Sequence, residues 1–407
     1  MEFLGCASGT ACRGLRAVSA LALVCSTASC GAGDHAAITS TSGAASTRSS
    51  QNVATGSGSG TSTSSSTKPP AHVVGNCSGL AAVDKFENIT PPNIDLSGSG
   101  ITNMLVDPVR TGTIFAGTDH QGLFKSTDCG STWTKINTGQ NGAVLDSGLL
   151  WSMDIDPVNP DTLYAGSLYG TDPSLLKSTN GGVDWASVMP PGSPVAQTVQ
   201  YNFFQDLSLD PTNPQHIVVT FHAPCMGQYA PSCMAQTMDG GNTWQLFLSA
   251  TSMWEEGAGP LVLGPTTWLL GTTVDGVFYT SDSGGHWEKV APFANRQMYR
   301  TQDQSAYYLG GPEGLYTSPD AHVWTAIANS PAGFGIIGDG KRLFTSLRTA
   351  GTNQQPYFTS AESDGMTWVP YTSPNMAAGA VYLRYDADHH LLYSANTSSG
   401  LWRVVTQ

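Results

Sequence analysis

Charge is scarce in this chain of 407 residues: Asp, Glu, Lys and Arg make up 12% of it, and 17 basic residues face 30 acidic ones. No basic patch or stripe occurs. That excludes nucleic acid, or an anionic polysaccharide, as a partner held by bulk electrostatics. The apolar run from Ala17 to Val24 is too short to cross a bilayer as a helix. No spacing of His, Cys and carboxylates matches a metal site, and no cofactor is expected. Neither a Ser-His-Asp order nor a nucleophile elbow is readable.

What the chain does have is repetition. Ser126, Asp128, Gly130 and Trp133 recur in the same order as Ser178, Asn180, Gly182 and Trp185, then as Thr237, Asp239, Gly241 and Trp244, then as Thr280, Asp282, Gly284 and Trp287. Worn copies end at Trp324 and Trp368, with Pro319 where the fifth copy would carry its Asp. The tryptophans lie 52, 59, 43, 37 and 44 residues apart. One tryptophan per ~40 residues is the signature of a propeller or a solenoid. Before each hairpin the chain alternates through short apolar runs broken by turns such as Asp156-Pro-Val-Asn-Pro160. Four short strands per repeat make a propeller blade.

The expected fold is therefore all-β: a seven-bladed β-propeller of four-stranded antiparallel blades over residues 73–407. Six blades end at the six tryptophans. The seventh, from Gly379 to Val405, lacks a fourth strand. Residues 82–89 are expected to supply it as an N-terminal clasp, closing the ring and removing exposed sheet edges.

Residues 1–30 read as a signal peptide, with Arg13 and Arg16 before the apolar run. Thr27 to Cys30 resembles a bacterial lipobox, which implies Cys30 as a lipid anchor; plain secretion is the alternative. Residues 31–72 are dominated by Ser, Thr, Gly and Ala. They cannot bury enough surface to fold and would act as a tether reaching roughly 35 Å. Export suits the cysteines. Cys225 and Cys233 flank one loop and are expected to pair. Cys77 before the clasp and Cys129 in the first hairpin would share a face one blade apart, and their bridge would lock the clasp. A monomer is expected, touching a membrane only through its lipid.

One propeller face should carry the tryptophan hairpins and the Asp-Pro turns. The other should carry the blade junctions and the loops between second and third strands, and ligand chemistry is sought there. Candidate acids and bases are Asp119, Asp206, Glu255 and Glu256. Candidate ligand contacts are Trp151, Tyr201, His222, Trp254, Tyr299 and Arg300. Aromatic faces stack on pyranose rings, and carboxylates bind hydroxyls or move protons. The plainer reading is that Trp151 and Phe204 fill the core. His216, His389 and His390, beside first-to-second-strand turns, read as surface.

The repeated hairpin resembles the Asp-box, or BNR repeat, of the sortilin, sialidase and xyloglucanase superfamily. The resemblance covers about residues 78–407. It implies a scaffold role for the hairpin carboxylates. Sialidases add an Arg-Ile-Pro motif and three substrate-clamping arginines, neither of which is matched here. Ala116 to Lys125 resembles a first-blade segment of the two-propeller xyloglucanases, which implies a catalytic carboxylate at Asp119. Those enzymes place a second carboxylate on a second propeller. Single propellers, such as the photosystem II assembly factor, are binding scaffolds. Two readings stand: a carbohydrate-active glycosidase or lyase, or a non-catalytic module binding a glycan or an envelope protein.

Overall fold

The computed structural model describes residues 70–407, apart from 172–173, 191–192, 199–203, 252–258, 273 and 293–296. The expected signal segment, Cys30 and residues 31–69 of the expected tether lie outside the described residues.

Each short apolar run becomes a strand, and successive runs pair antiparallel because the turns between them are tight. Seven four-stranded sheets result among the described residues. Blade one contains Ile101–Val106, Ile114–Thr118, Leu123–Ser126 and Thr134–Lys135. The first strands of blades two to seven are Leu149–Ile155, Phe204–Asp210, Gly259–Val262, Met298–Arg300, Gly335–Gly338 and Tyr382–Asp386. First strands of neighbouring blades pack against one another, so they line the axis of the ring. Apolar side chains such as Phe115, Leu150, Trp268 and Phe344 are fully buried between blades.

The ring closes as expected. Phe86–Asn88 pairs antiparallel with the third strand of blade seven, Leu401–Val405, with Glu87 opposite Arg403. Trp133 Nε1 donates to the Ile89 carbonyl at 2.8 Å, just as Trp244 Nε1 donates to the Val188 carbonyl at 2.8 Å. Ile89 thus stands where Val188 stands, immediately after the outer strand of the preceding blade. The clasp is fixed further by Arg403, whose Nε binds Glu87 at 2.9 Å and whose Nη1 donates to the Cys129 carbonyl. The Cys77–Cys129 and Cys225–Cys233 disulfides are both formed. Two small sheets lie outside the blades. Val73–Val74 runs parallel to Arg110–Thr111, and Thr349–Gln354 pairs with Met376–Ala378.

The hairpins show why their residues recur. In the first, Asp128 accepts the N–H and hydroxyl of Thr132, while Ser126 Oγ accepts the Gly130 N–H. Gly130 sits at φ +93°, which a side chain would strain. The fifth hairpin corrects the sequence reading. It is one residue shorter, and Asp320, not position 319, accepts the N–H groups of His322 and Val323. The carboxylate is kept; alignment on Trp324 alone displaced it. His216 also departs from expectation. It is fully buried between Asp210, 3.1 Å away, and Trp268. Its strand, Asn213–Phe221, begins inside the turn and carries the imidazole inward. His389 is half-buried as well, bridging Asp386 and the Gly75 carbonyl.

Candidate functional site

The inner strands aim side chains at the axis, and five blades make the same sharp turn at the end of that strand. Asp107, Asp156, Asp210, Asp339 and Asp386 each cap it by accepting backbone N–H groups. Two residues before the last four of these stand Asp154, Ser208, Ile337 and Arg384, and all four line one cavity of about 250 Å³ on the axis. Asp154 and Arg384 therefore face the channel at one depth. Asp206 and Tyr382 line it one step nearer the junction face. Both charged groups keep some accessible surface, because the channel is hollow, but protein surrounds them. Burial raises the Asp154 pKa to about 6, against the opposing pull of the Ile155 and Leu209 N–H groups and of Arg384. Burial likewise lowers the Arg384 pKa, while Tyr382, Asp154 and Asp206 oppose it. The Arg384 guanidinium lies over the Tyr382 ring, 5.1 Å from its centroid. Gln297 reaches across Gly335 to exchange hydrogen bonds with the Leu383 backbone, joining blade five to blade seven.

A second opening, of about 270 Å³, lies on the junction face. Trp151, Ser99, Val381, Thr397 and Arg348 are among its walls. Trp151 is half-buried, its ring edge-on to Tyr382 at 6.2 Å. Its carbonyl accepts from Asn103 Nδ2 and from the Tyr382 hydroxyl. Asp119 adjoins this opening from behind. Its Oδ2 accepts the Ser99 N–H at 2.8 Å, and its Oδ1 lies 2.5 Å from His120 Nδ1. Gly98 is required beside it, since a Cβ there would meet that carboxylate at 2.8 Å.

The expected site residues thus scatter. Trp151 and Asp119 come together on the junction face. Asp206 lies in the channel. His222 stands on the junction side, but both ring nitrogens are engaged, with Gln205 Oε1 at 2.6 Å and the Tyr169 hydroxyl at 2.6 Å. Tyr299 and Arg300 do not lie at the mouth of blade five. Arg300 ends the strand Met298–Arg300 at its opposite end, next to the turn that leads to Tyr307, and Tyr299 before it lines the axial cavity with Asp206. The Tyr299 hydroxyl meets Glu362 at 3.2 Å on the hairpin face, and Arg300 stacks over Tyr307. Burial and that carboxylate raise the Tyr299 pKa, and burial raises that of Glu362. Tyr201, Trp254, Glu255 and Glu256 lie outside the described residues. Arg384, Gln297 and Arg348 were not singled out from the sequence. Aligning the blades on their turn aspartates, rather than on tryptophan, would have set Asp154 and Arg384 level.

Seven blades of this build define the chain as a seven-bladed β-propeller. No known family profile matches it. It is 24% identical over 221 residues to a probable oligoxyloglucan-reducing end-specific xyloglucanase of Neosartorya fischeri, covering 53% of this chain and 22% of that protein. It is 23% identical over 299 residues to the oligoxyloglucan-reducing end-specific xyloglucanase of Emericella nidulans, covering 69% and 36%. The chain thus spans well under half the length of these curated relatives. Among solved structures, the Niastella koreensis GH74 enzyme superposes with a TM-score of 0.58 at 19% identity, covering 78% of this chain and 53% of that one. YCF48 bound to D1 peptide superposes with a TM-score of 0.56 at 15% identity, covering 81% and 99%.

Proposed function

We propose that this chain is an exported Asp-box propeller that binds polysaccharide on its junction face, with Trp151 as the stacking platform. The opening beside Trp151 carries the reading: an indole sits next to backbone and polar groups in a shallow space open to solvent, which is how sugar rings are held. The curated xyloglucanase relatives support carbohydrate as the ligand class. The two disulfides support export, and a lipid on Cys30 with residues 31–72 as tether would keep the domain at the envelope. Binding is favoured over hydrolysis because, among the described residues, no carboxylate lines the opening beside Trp151. Asp119 is spent on Ser99 and His120, and Asp154 and Asp206 sit in the channel beside Arg384. A protein-binding scaffold is the second reading, favoured by the whole-chain likeness to YCF48.

A glycan array and a reducing-sugar release assay test this together. Trp151→Ala should lose array binding by more than about tenfold at a temperature where the variant is still folded, and the wild type should release no reducing ends. Release that disappears in Asp119→Asn, Asp206→Ala, Glu255→Ala or Glu256→Ala would replace binding with hydrolysis. A silent array with the folded chain would reject a glycan altogether.

A further inference from the structure

Among the described residues, one group of three side chains with metal-ligating atoms draws close together, and it lies beside the clasp. Cys77 Sγ, Cys129 Sγ and a ring nitrogen of His389 are all within 4.8 Å of one another. No spacing in the sequence marks them. The cysteines are 52 residues apart, and His389 comes from the turn between the first two strands of blade seven. They converge on Gly112, where a Cβ would meet Cys129 Sγ at 3.2 Å, Cys77 Sγ at 3.3 Å and His389 Cε1 at 3.4 Å. Cys129 is buried, while Cys77 and His389 keep part of their surface in solvent, so the group is reached from the side of the arm that carries Cys77. With the disulfide formed, neither sulfur is a ligand. His389 is engaged as well, through Nδ1 with Asp386 and through Nε2 with the Gly75 carbonyl, at 2.9 Å each.

Reduction changes what this group offers. A dithiol passes two electrons and two protons to the sulfurs and closes to its own disulfide. Two thiols then stand beside an imidazole, which is the donor set of a zinc site with one position left for water. A tetrahedral zinc ion holds such donors roughly 3.5–4 Å apart, a spacing that fits within their present spread. The outer support is already in place. Asp386, whose side chain is fully buried, accepts the Gly112 N–H at 2.7 Å and holds His389 Nδ1. That leaves Nε2 as the nitrogen for the ion, the arrangement of carboxylate–histidine–zinc sites. The contact that must yield is the one to Gly75. Gly75 lies on the same arm as Cys77, two residues before it, so the contact parts as the arm shifts. The ion displaces one proton from each thiol and one from Nε2. We propose that the clasp has an exchangeable lock: an S–S bond when oxidised and, when reduced, one zinc-like divalent ion held by Cys77, Cys129 and His389.

The test uses the full chain with Cys6, Cys12, Cys25, Cys30, Cys225 and Cys233 each changed to Ser, reduced with a dithiol that is then removed under nitrogen. Zinc is titrated in, and cobalt as its coloured stand-in. One ion per chain should bind, cobalt should show thiolate charge-transfer absorption, and zinc should raise the melting temperature of the reduced chain. The oxidised chain should show none of these. His389→Gln should weaken zinc binding by at least about tenfold, since even an outer-shell partner is worth that much. Affinity should fall with pH, because protons compete for all three ligands. No ion on the reduced, folded chain, an affinity that His389→Gln leaves unchanged, or equal binding by the oxidised chain overturns the proposal. Should the reduced chain not fold unaided, recovery of the fold in zinc that depends on His389 supports the lock, and a chain unfolded with and without zinc overturns it.

Discussion

Asp154 shows how far one residue is governed by its surroundings. Its two oxygens take the Ile155 and Leu209 N–H groups, yet enclosure in the channel outweighs them and lifts its pKa to about 6. In the unfolded chain the same group ionises near 3.9. Between those values the folded form holds one proton more than the unfolded form. Stability from this group is therefore whole below about pH 4 and is lost as pH rises towards about 6. The gap amounts to on the order of 3 kcal/mol by neutral pH. Asp154→Asn cannot titrate, so urea midpoints measured from about pH 4 to 6.5 should lose a decline of that order. A variant whose midpoints fall as steeply as those of the wild type would show that Asp154 is already ionised when folded. His222 makes the contrasting case: with Gln205 on one nitrogen and Tyr169 on the other, it orders two loops.

At the scale of elements, the clasp decides whether the ring is a ring. Its ladder to blade seven runs from Asp84, whose N–H meets the Val405 carbonyl, to Ile89, whose N–H meets the Leu401 carbonyl, and the Cys77–Cys129 bridge ties it covalently. That bridge spans 52 residues, whereas Cys225–Cys233 spans 8. Loop entropy assigns about 4 kcal/mol to the first and about 2.5 kcal/mol to the second. Cys77→Ser with Cys129→Ser should lower the melting temperature more than Cys225→Ser with Cys233→Ser, as read by calorimetry; the reverse order would place the closure elsewhere. This element was legible in the sequence because a blade count left one strand wanting and residues 82–89 unassigned. The repeated hairpins were legible too, since their Asp, Gly and Trp satisfy local hydrogen bonds that do not depend on the rest of the fold. The site was less legible. Blade five has no Asp-Pro marker, so its turn at Thr301–Ala306 was missed, and Tyr299 and Arg300 were set at the wrong end of their strand. Arg348 owes its position to an insertion, and an insertion breaks the period that guided the reading.

For the whole molecule, the hairpin carboxylates act on one side of an acidic pH, and His389 with Asp154 on the other. The exposed hairpin groups Asp239 and Asp282 are held at about 2 by hydrogen bonds, first from Thr243 and from His286 respectively. Their folded pKa is depressed, so the stability they bring is present above about 4 and is lost as pH falls towards about 2. His389 works the other way. Both its ring nitrogens face acceptors, the Asp386 carboxylate and the Gly75 carbonyl, at 2.9 Å each, so both must carry protons. Burial opposes the charge, but the Gly75 and Asp386 hydrogen bonds prevail and raise its pKa. Its contribution is whole below about 6.5 and fades as pH passes the raised folded value. Asp154 removes stability over the interval above about 4. These three slopes meet in one acidic window, and melting temperatures recorded across pH should peak between about pH 4 and 6. The low-pH limb should be shared among many hairpins and so resist any single Asp→Asn change. The high-pH limb should flatten in His389→Gln combined with Asp154→Asn. A maximum above pH 7 in the wild type would mean that neither the channel nor the His389 bridge is protonated as its geometry requires.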